Sequence, residues 1–252
     1  AAKKAAFIHV DYVQAGYTRR LDKDCYVDFD RIFAVSDETA GVFAGVYPEC
    51  QQKLSVFHNL IDTEAIRQKA LLPAEKSMHE GIRLLTVGRL TPQKGFDCAV
   101  YALKLLLEKQ YPVYWYIIGE GPEYGRLTQL ARSLHVEDHF IFLGMQTNPY
   151  PYFKMADFYI HATRFEGKSI AIQEAQVLGC AIAASDCSGN REQIVSGVDG
   201  LLCPFSPEGI ANAVEYLIEH PQTTQSFGRA AAQKACHFEN DIHMIRDLLY
   251  SP

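Results

Sequence analysis

Short apolar runs alternate with helical segments along the whole chain, and this alternation restricts the fold more than any other feature. Between these runs, hydrophobic residues recur at three- and four-residue spacing, as in residues 95–109, 122–134 and 207–219, which predicts helices. Strands this apolar, separated by helices, are typical of a parallel sheet covered on both faces. The sequence therefore predicts an α/β fold with doubly wound parallel sheets. The strand-like runs are residues 6–10, 32–35, 54–58, 82–87, 113–118, 140–143, 158–161, 181–184 and 200–203.

The series of strands and helices is interrupted near the middle of the chain. A polar, charged stretch follows the HNLID sequence at residues 58–62, and an uninterrupted series of strand–helix units begins at Ile82. The second part has about six strands, enough for a full Rossmann-type sheet, whereas the first has about three and starts abruptly in a strand. We therefore expect a partial first domain, and a chain that is a fragment or whose missing half lies on other residues. The expected divisions are 1–62, a linker at 63–80, a second domain at 81–235 and a terminal segment at 236–252.

Charge and composition exclude several classes of protein. The formal net charge is −6 and there is no basic block, which argues against nucleic acid as a partner. No apolar run approaches the roughly 20 residues that span a bilayer, and the N-terminus lacks the apolar core of a signal peptide. Seven cysteines without a C-x-x-C pair indicate neither a disulfide framework nor a zinc site. We expect them to be small core residues in a reducing compartment.

A basic loop follows the strand at residues 82–87, with the sequence GRLTPQKG. The carboxyl end of a parallel strand is where open α/β sheets bind ligands. Arg89 offers a bidentate fork and Lys94 a mobile point charge, and the two cations beside glycine suit a diphosphate. The alternative is an ordinary solvated basic loop.

A glycine turn, GEGP at residues 119–122, follows the next strand. Its G-x-G pattern lacks the third glycine and the acidic residue about 20 positions further on that a dinucleotide site requires. We interpret it as a structural turn with proline at the first helical position, which argues against a dehydrogenase.

Two carboxylates, Glu166 and Glu174, lie in the run FEGKSIAIQE at residues 165–174. Gly167 breaks the chain, and the apolar stretch that follows predicts a helix with Ser169 as its N-cap and Glu174 one to two turns inside. The free N–H groups of such a helix end attract anions. A carboxylate beside an anion site is reasonable where it holds hydroxyl groups, and a nucleotide sugar combines phosphates with hydroxyls. The alternative is a pair of solvated glutamates on an amphipathic helix.

Several motifs occur in the order of one known family. They are VGRL with KG at residues 87–95, GEGP at 119–122, FLG at 142–144, NPYPY at 148–152, AD at 156–157, the run at 166–175 and GLLCP at 200–204. Together they resemble the retaining glycosyltransferases of the GT-B fold usually called family 4, or glycosyl transferases group 1. The residues within these motifs are most similar to those of the bacterial capsule and exopolysaccharide members. The resemblance implies a complete C-terminal Rossmann-like domain and a partial N-terminal, acceptor-side domain, with the terminal helix packing back toward the latter.

The resemblance also implies roles for charged residues. Arg89 and Lys94 would hold the two phosphates of a nucleoside diphosphate sugar and neutralise charge as the bond to the sugar breaks. Glu166 would bind hydroxyls of the transferred sugar, and Glu174 would accept hydrogen bonds from the ribose. His9, at the end of a strand in the first domain, is the candidate to contact the sugar from the other side.

Main-chain groups are implied to complete the donor site. N–H groups from Gly167 to Ile170, through Lys168 and Ser169, would add to the phosphate site. The loop around Gly144 and Met145 would contact the base. No cofactor is expected beyond the nucleotide-sugar substrate, and no metal, because the sequence offers no Asp-x-Asp run for a metal-held diphosphate.

The function implied by the resemblance is transfer of a hexose from a nucleotide sugar, most simply a UDP-sugar, to a polysaccharide or lipid-linked glycan acceptor. Retention is expected through attack on the face that the diphosphate leaves. The rival two-carboxylate glycosidase scheme is disfavoured, because the resemblance places Glu174 on the ribose. The implied location is the cytoplasm, at the inner membrane face where missing residues would provide any peripheral membrane contact.

Two alternatives remain open. The chain is a nucleotide-sugar-binding fragment or noncatalytic partner, inactive without a missing acceptor domain, or it is a GT-B epimerase acting on a UDP-sugar. Four further residues are given structural interpretations. Tyr150 and Tyr152 are expected to be packing residues, His161 a satisfied core or rim histidine, and Trp115 a core residue.

Overall fold

Two parallel sheets form the framework of the computed structural model, which describes residues 3–235 and 241–250, the last without its side chain. Within these residues the first sheet has the order β1-β2-β3 and the second the order β6-β5-β4-β7-β8-β9, with every pairing parallel. The strands are β1 Ala5–Ile8, β2 Arg31–Ala34, β3 Leu54–Val56, β4 Ile82–Val87, β5 Val113–Ile118, β6 Phe140–Gly144, β7 Phe158–His161, β8 Ala181–Ser185 and β9 Leu201–Cys203.

Helices connect successive strands, as parallel pairing requires. Three short 3₁₀ turns, Cys25–Asp28, Pro48–Lys53 and Pro92–Lys94, complete the connections in the described residues. No helix there is long and apolar enough to cross a bilayer. The helices are α1 Arg19–Asp22, α2 Asp37–Val46, α3 Thr63–Lys69, α4 Phe96–Glu108, α5 Tyr124–Ser133, α6 Tyr150–Met155, α7 Ile170–Val177, α8 Ser188–Arg191, α9 Pro207–Glu219, α10 Pro221–Ala235 and α11 Ile242–Tyr250.

The strand order of the second sheet determines where a ligand can bind. Counted from β4 as the first strand, the order β6-β5-β4-β7-β8-β9 is 3-2-1-4-5-6, the Rossmann order. The strand order reverses between β4 and β7, so the helices that follow these two strands, α4 and α7, lie on opposite faces of the sheet. Such a switch point leaves a crevice at the carboxyl ends of the strands. The basic loop at residues 88–95 and the acidic run at 165–174 both begin there.

Each face of the second sheet is covered by its own apolar core, because successive side chains of a strand point to opposite faces. Leu84 and Trp115 pack with helices α4 and α9 on one face. Leu85 and Tyr116 pack with the residues of α6 and α7 on the other. A third core, around Phe43 of α2, covers one face of the first sheet. The prediction of an α/β fold with doubly wound parallel sheets is confirmed.

Differences from the sequence-based expectations are local. Strand β3 ends at Val56 instead of residue 58, and α5 begins at Tyr124, two residues after Pro122, because the GEGP segment forms a turn first. The expectation that the cysteines are core residues is wrong for Cys25, which is exposed at the start of a surface 3₁₀ turn, and Cys187 is half-buried. Cys236 lies outside the described residues.

The C-terminal helix lies beside the first sheet. The backbone N–H of His58 donates to Asp241 Oδ2 at 2.6 Å, directly before α11. Met244 and Leu248 of α11 line a cavity of about 550 Å³ together with Arg31 and Phe33 of β2. The predicted segment 236–252 falls partly outside the described residues, and the predicted domain boundaries remain predictions.

Helix α3 occupies the first part of the stretch predicted as a linker. Asp62 caps it by accepting a hydrogen bond from the N–H of Ala65 at 2.9 Å. Ile66 is buried in a small cluster with Val177 of α7 and Ala235 of α10. The connection between the two sheets is therefore partly packed against the second domain.

Gly119 is expected to be intolerant of a side chain. Its φ is +141°, and a Cβ there would overlap the carbonyl oxygen of Gly88, so Gly119→Ala should lower the free energy of unfolding by about 1–3 kcal/mol. Gly125, in helix α5, has open space around it, and Gly125→Ala should raise stability by about 0.5–1 kcal/mol. Urea unfolding of both variants checks this, and a neutral Gly119→Ala would contradict it.

Candidate active site

Two loops meet at the carboxyl ends of β4 and β7, and Gln93 joins them. Its carbonyl oxygen accepts hydrogen bonds from the N–H of Arg164 at 2.9 Å and from Thr163 Oγ1 at 3.1 Å. Its side-chain Nε2 donates to the carbonyl of Phe165 at 3.0 Å. The residues next to Gln93 and Phe165 are Lys94 and Glu166. These bonds therefore fix the lysine against the glutamate, although 72 residues separate them in the sequence.

Lys94 and Glu166 form an ion pair at the centre of the crevice. Lys94 Nζ donates to Glu166 Oε2, and Nε2 of His161 lies 3.3 Å from the same oxygen. Glu166 is only 8% exposed, and His161, the last residue of β7, is 2% exposed. No described residue donates a hydrogen bond to the second carboxylate oxygen, Oε1. That oxygen is available to a hydroxyl group of a ligand.

Burial and the neighbouring hydrogen bonds and charges together determine the protonation states of Glu166 and His161. Desolvation lowers the pKa of His161, so its ring is neutral near pH 7. Because a carboxylate only accepts hydrogen bonds, we assign the ring proton to Nε2, which donates to Glu166, while Nδ1 accepts from the Tyr159 hydroxyl at 3.1 Å. Burial alone would raise the pKa of Glu166, but the His161 hydrogen bond and the Lys94 charge outweigh it and lower the value to about 2.

The loop after Glu166 is held by close backbone contacts that exclude side chains. A Cβ on Gly167 would overlap the carbonyl oxygen of His9 in the first domain, and a Cβ on Gly189 of α8 would overlap that of Gly167. Asn59 Nδ2 donates to the carbonyl of Lys168 at 3.0 Å. The His9 backbone therefore lies against Gly167, whereas His9 itself is exposed, and its expected contact with the sugar remains a prediction.

Ser169 is the N-cap residue of helix α7, as predicted, but its side chain does not complete the cap. The hydroxyl makes no capping hydrogen bond, and the backbone has φ −75° and ψ 118°. Ser36 and Ser206, which do cap α2 and α9, have φ near −150° and ψ near 160°. The N–H groups at the start of α7 therefore receive no hydrogen bond from the Ser169 hydroxyl. These first-turn donors have no partner within the helix and can serve an anion.

A second cavity, of about 310 Å³, lies beside the charge cluster. Glu174 of α7 is half-buried there, and its Oε1 accepts a hydrogen bond from the Tyr150 hydroxyl at 3.0 Å. Burial raises the pKa of Glu174 and the Tyr150 bond lowers it, with a net upward shift. Arg89 is exposed at the cavity and forms no side-chain hydrogen bond or ion pair with any described residue. The lining residues are Val87, Gly88, Arg89, Ile118, Gly119, Glu120, Met145, Gln146, Pro149 and Glu174.

The predicted site residues fall into two groups. Lys94, Glu166 and Gly167 gather near the His9 backbone, whereas Arg89, Met145 and Glu174 line the second cavity. Gly144, with φ +75°, ends β6 and lines a neighbouring cavity of about 510 Å³, and Met145 after it is 68% exposed. Lys168 is half-buried and Ile170 is 50% exposed. Their roles in binding and catalysis remain predictions.

Sequence reasoning missed two contacts. The sequence predicts that His161 is a hydrogen-bonded core or rim residue, and its partner in the structure is Glu166. The position of His161 at the end of β7, beside the acidic loop, is the signal that could have revealed this partner. Tyr150 was interpreted as packing, and its bond to Glu174 spans 24 residues without any local sequence signal. Tyr152 and Trp115 are buried, as expected.

Known sequences resemble this chain over most of its length. The family model described as glycosyl transferases group 1 matches residues 67–234. The N-acetylgalactosamine-N,N'-diacetylbacillosaminyl-diphospho-undecaprenol 4-alpha-N-acetylgalactosaminyltransferase of Campylobacter jejuni is 30% identical over 200 residues, 79% of this chain and 53% of that protein. A glycogen synthase of Mycobacterium tuberculosis is 28% identical over 208 residues, 80% of this chain and 47% of that protein. The chain spans about half the length of these curated relatives.

Solved structures share the fold at low sequence identity. HepE of Anabaena, solved in complex with UDP and glucose, has a TM-score of 0.83 at 19% identity, over 98% of this chain and 71% of that one. TarM of S. aureus, solved as a mutant in complex with UDP and other ligands, has a TM-score of 0.81 at 16% identity, over 99% and 51%. With the family match across two thirds of its length and this shared GT-B architecture, the chain belongs to the glycosyl transferases group 1.

Proposed function

We propose that this chain is the donor-binding and catalytic part of a retaining, metal-independent hexosyltransferase that uses a UDP-sugar. The main observation behind the proposal is that two cations and two carboxylates lie near the same switch point and can bind different groups of one ligand. Lys94 and Arg89 can hold a diphosphate, and Glu166 and Glu174 can hold hydroxyl groups. A nucleotide sugar presents both kinds of group at once.

Positive charge is supplied where a leaving diphosphate would gain negative charge. Lys94 has three N–H donors, of which Glu166 takes one, and Arg89 has no described partner. The open N–H groups at the start of α7 lie on the same loop as Glu166. Preorganised donors of this kind stabilise developing charge without reorganisation during the reaction. They provide the charge neutralisation that a divalent cation supplies in other transferases.

Glu166 is suited to binding and poorly suited to attack. Its carboxylate already accepts from Lys94 and His161, and a pKa of about 2 makes it a weak base. It therefore holds the sugar through Oε1 and does not take a proton. We propose that the acceptor attacks on the face that the diphosphate leaves, which retains the stereochemistry, with a phosphate oxygen taking the acceptor proton.

The related proteins support the choice of substrates. HepE was solved with UDP and with UDP-glucose, and the name of the Campylobacter relative includes a diphospho-undecaprenol acceptor. We propose a UDP-sugar donor and a polysaccharide or lipid-linked glycan acceptor for this chain as well. We propose that the reaction takes place in the cytoplasm, at the inner face of a membrane.

Calorimetric titration with UDP, GDP and their sugar conjugates tests the donor site. We expect UDP to bind, and Arg89→Ala and Glu174→Ala each to weaken it by about tenfold or more, because each removes hydrogen bonds to a charged group. Arg132→Ala, which removes an exposed arginine of α5 outside both cavities, serves as the control and should bind like the unmodified chain. A well-folded chain that binds no nucleotide would contradict the proposal.

A binding fragment without transferase activity is the second candidate. It is favoured by one observation, that the chain spans about half the length of its curated relatives. This candidate predicts UDP binding with the same response to Arg89→Ala, but no release of UDP from a UDP-sugar in the presence of glycan acceptors. Measuring binding and UDP release on one preparation separates the two functions.

A further inference from the structure

The loop between β6 and α6, residues 145–149, is fixed at several points. Gln146 Nε2 donates to the carbonyl of Leu143 at 2.9 Å, and the Tyr152 hydroxyl donates to Gln146 Oε1 at 3.2 Å. Asn148 Nδ2 donates to the carbonyl of Lys69 at the end of α3, also at 2.9 Å. The loop is thus a rigid wall of the second cavity, which it lines with Met145, Gln146 and Pro149. Tyr150 follows it directly as the first residue of α6.

Tyr150 reaches from the end of this loop to a carboxylate on another helix. Its hydroxyl donates to Glu174 Oε1 at 3.0 Å, while its half-buried ring packs against the cluster of Ile66, Val177 and Ala235. Burial and the neighbouring Glu174 raise the pKa of Tyr150 to about 12, so the hydroxyl keeps its proton and remains a donor. The packed ring and the hydrogen bond together restrict the rotation of the Glu174 carboxylate.

We propose that Tyr150 is a positioning residue for ribose recognition, which holds Glu174 in register with the loop at residues 145–149. This inference rests on the proposed function. One oxygen of Glu174 is engaged by Tyr150, which leaves Oε2 to accept from a ribose hydroxyl. The loop that would contact the base and the carboxylate that would contact the ribose are then joined by one hydrogen bond. Base and ribose are consequently recognised as a unit with a fixed separation.

The charges around Glu174 determine how its recognition depends on pH. Arg89 and Glu120, from the loops after β4 and β5, line the same cavity, and the buried Tyr159 hydroxyl of β7 lies 3.5 Å from the carbonyl oxygen of Val87, which also lines it. Burial raises the pKa of Glu174, and the Tyr150 hydrogen bond opposes that rise. A ribose hydroxyl donates to the ionised carboxylate, so affinity is lost as the pH falls through the pKa of Glu174. Without the Tyr150 hydroxyl, the loss should begin at a higher pH.

The test is Tyr150→Phe, which keeps the ring and its packing and removes only the hydroxyl. Affinities for UDP, 2′-deoxy-UDP and 3′-deoxy-UDP are measured by calorimetry between pH 5 and 8. We expect UDP to bind about tenfold more weakly to the variant at pH 7, with a smaller preference for UDP over the deoxy analogues. The acid-side loss of affinity should move to higher pH. In Tyr150→Phe/Glu174→Gln the two effects should not add, because both act on one contact.

Tyr111→Phe is a matched control. It also removes tyrosine hydroxyl bonds to carboxylates, those to Glu215 at 3.1 Å and Glu219 at 2.8 Å, but outside the donor cavities, so nucleotide affinity should be unchanged. If Tyr150→Phe distinguishes the three nucleotides like the unmodified chain, while Glu174→Ala weakens UDP binding, the positioning role is overturned and the proposed function stands. If the unmodified, folded chain binds no UDP, the proposed function fails and this inference with it.

Discussion

Replacing Lys94 with alanine is expected to slow the release of UDP from the bound UDP-sugar by about 10²–10³-fold, the effect of losing one preorganised donor from a site of developing negative charge. Lys94 Nζ is the cation nearest to Glu166, and Gln93 next to it ties the two loops together. Affinity for UDP should fall less than the rate, because charge on the diphosphate increases as the bond to the sugar breaks.

The same substitution disturbs the protein itself, and the experiment has to separate the two effects. Without Lys94, Glu166 is a buried carboxylate whose remaining donor is His161, and its pKa should rise from about 2. The double variant Lys94→Ala/Glu166→Gln removes this unbalanced charge, so its stability should recover while the rate stays low. Lys104→Ala, which removes a half-buried lysine of α4 that pairs with Glu108 away from the crevice, is the control. An unchanged rate in folded Lys94→Ala would contradict the role assigned to Lys94.

Replacing Trp115 with alanine is expected to give the largest loss of stability, about 3–5 kcal/mol of unfolding free energy. The Trp115 side chain is fully buried in the core between the second sheet and helices α4 and α9. Its Nε1 donates to Thr86 Oγ1 at 2.9 Å. The variant would leave a large cavity, and the buried Thr86 hydroxyl would lose the hydrogen bond that it accepts from Trp115. That hydroxyl donates onward to the carbonyl of Ile160 in β7, so the damage reaches the switch point.

Urea unfolding followed by circular dichroism measures this loss, since Trp115 is the only tryptophan and fluorescence would disappear with it. Tyr101→Ala, at a partly exposed aromatic residue of α4, is the control and should cost about 0.5 kcal/mol. Equal shifts of the two unfolding midpoints would show that the second sheet does not depend on Trp115.

Strands and ligand-bearing loops were predictable from the sequence because both depend on local pattern. The apolar runs that became β4, β5 and β7 are bounded by glycine, proline or charge, so their limits were visible. The rule that ligands bind at the carboxyl ends of parallel strands then selected Arg89, and the position beside a predicted helix start selected Glu166. The structure places both beside the crevice.

The partners of these residues were not predictable, because they depend on strand order and helix packing. Lys94 meets Glu166 only because β4 lies next to β7. Tyr150 meets Glu174 only because α6 and α7 share one face of the sheet. The position of Ser169 as the N-cap of α7 was predictable, whereas the absence of a capping hydrogen bond from its hydroxyl was not, because a residue pattern does not specify side-chain contacts.

The division of the site between different strands affects how such a protein can change. The charge cluster of Lys94, Glu166 and His161 lies at the ends of β4 and β7 and on the loops that follow them. Residues 145–149 instead follow β6, which is separated from β4 by β5. Under the proposed function, substitutions in 145–149 should alter the choice of base while the Lys94–Glu166 pair keeps its surroundings. We therefore expect nucleotide preference and bond-breaking chemistry to be separately exchangeable, and grafting this short segment from a relative should change the preferred base without changing the chemistry.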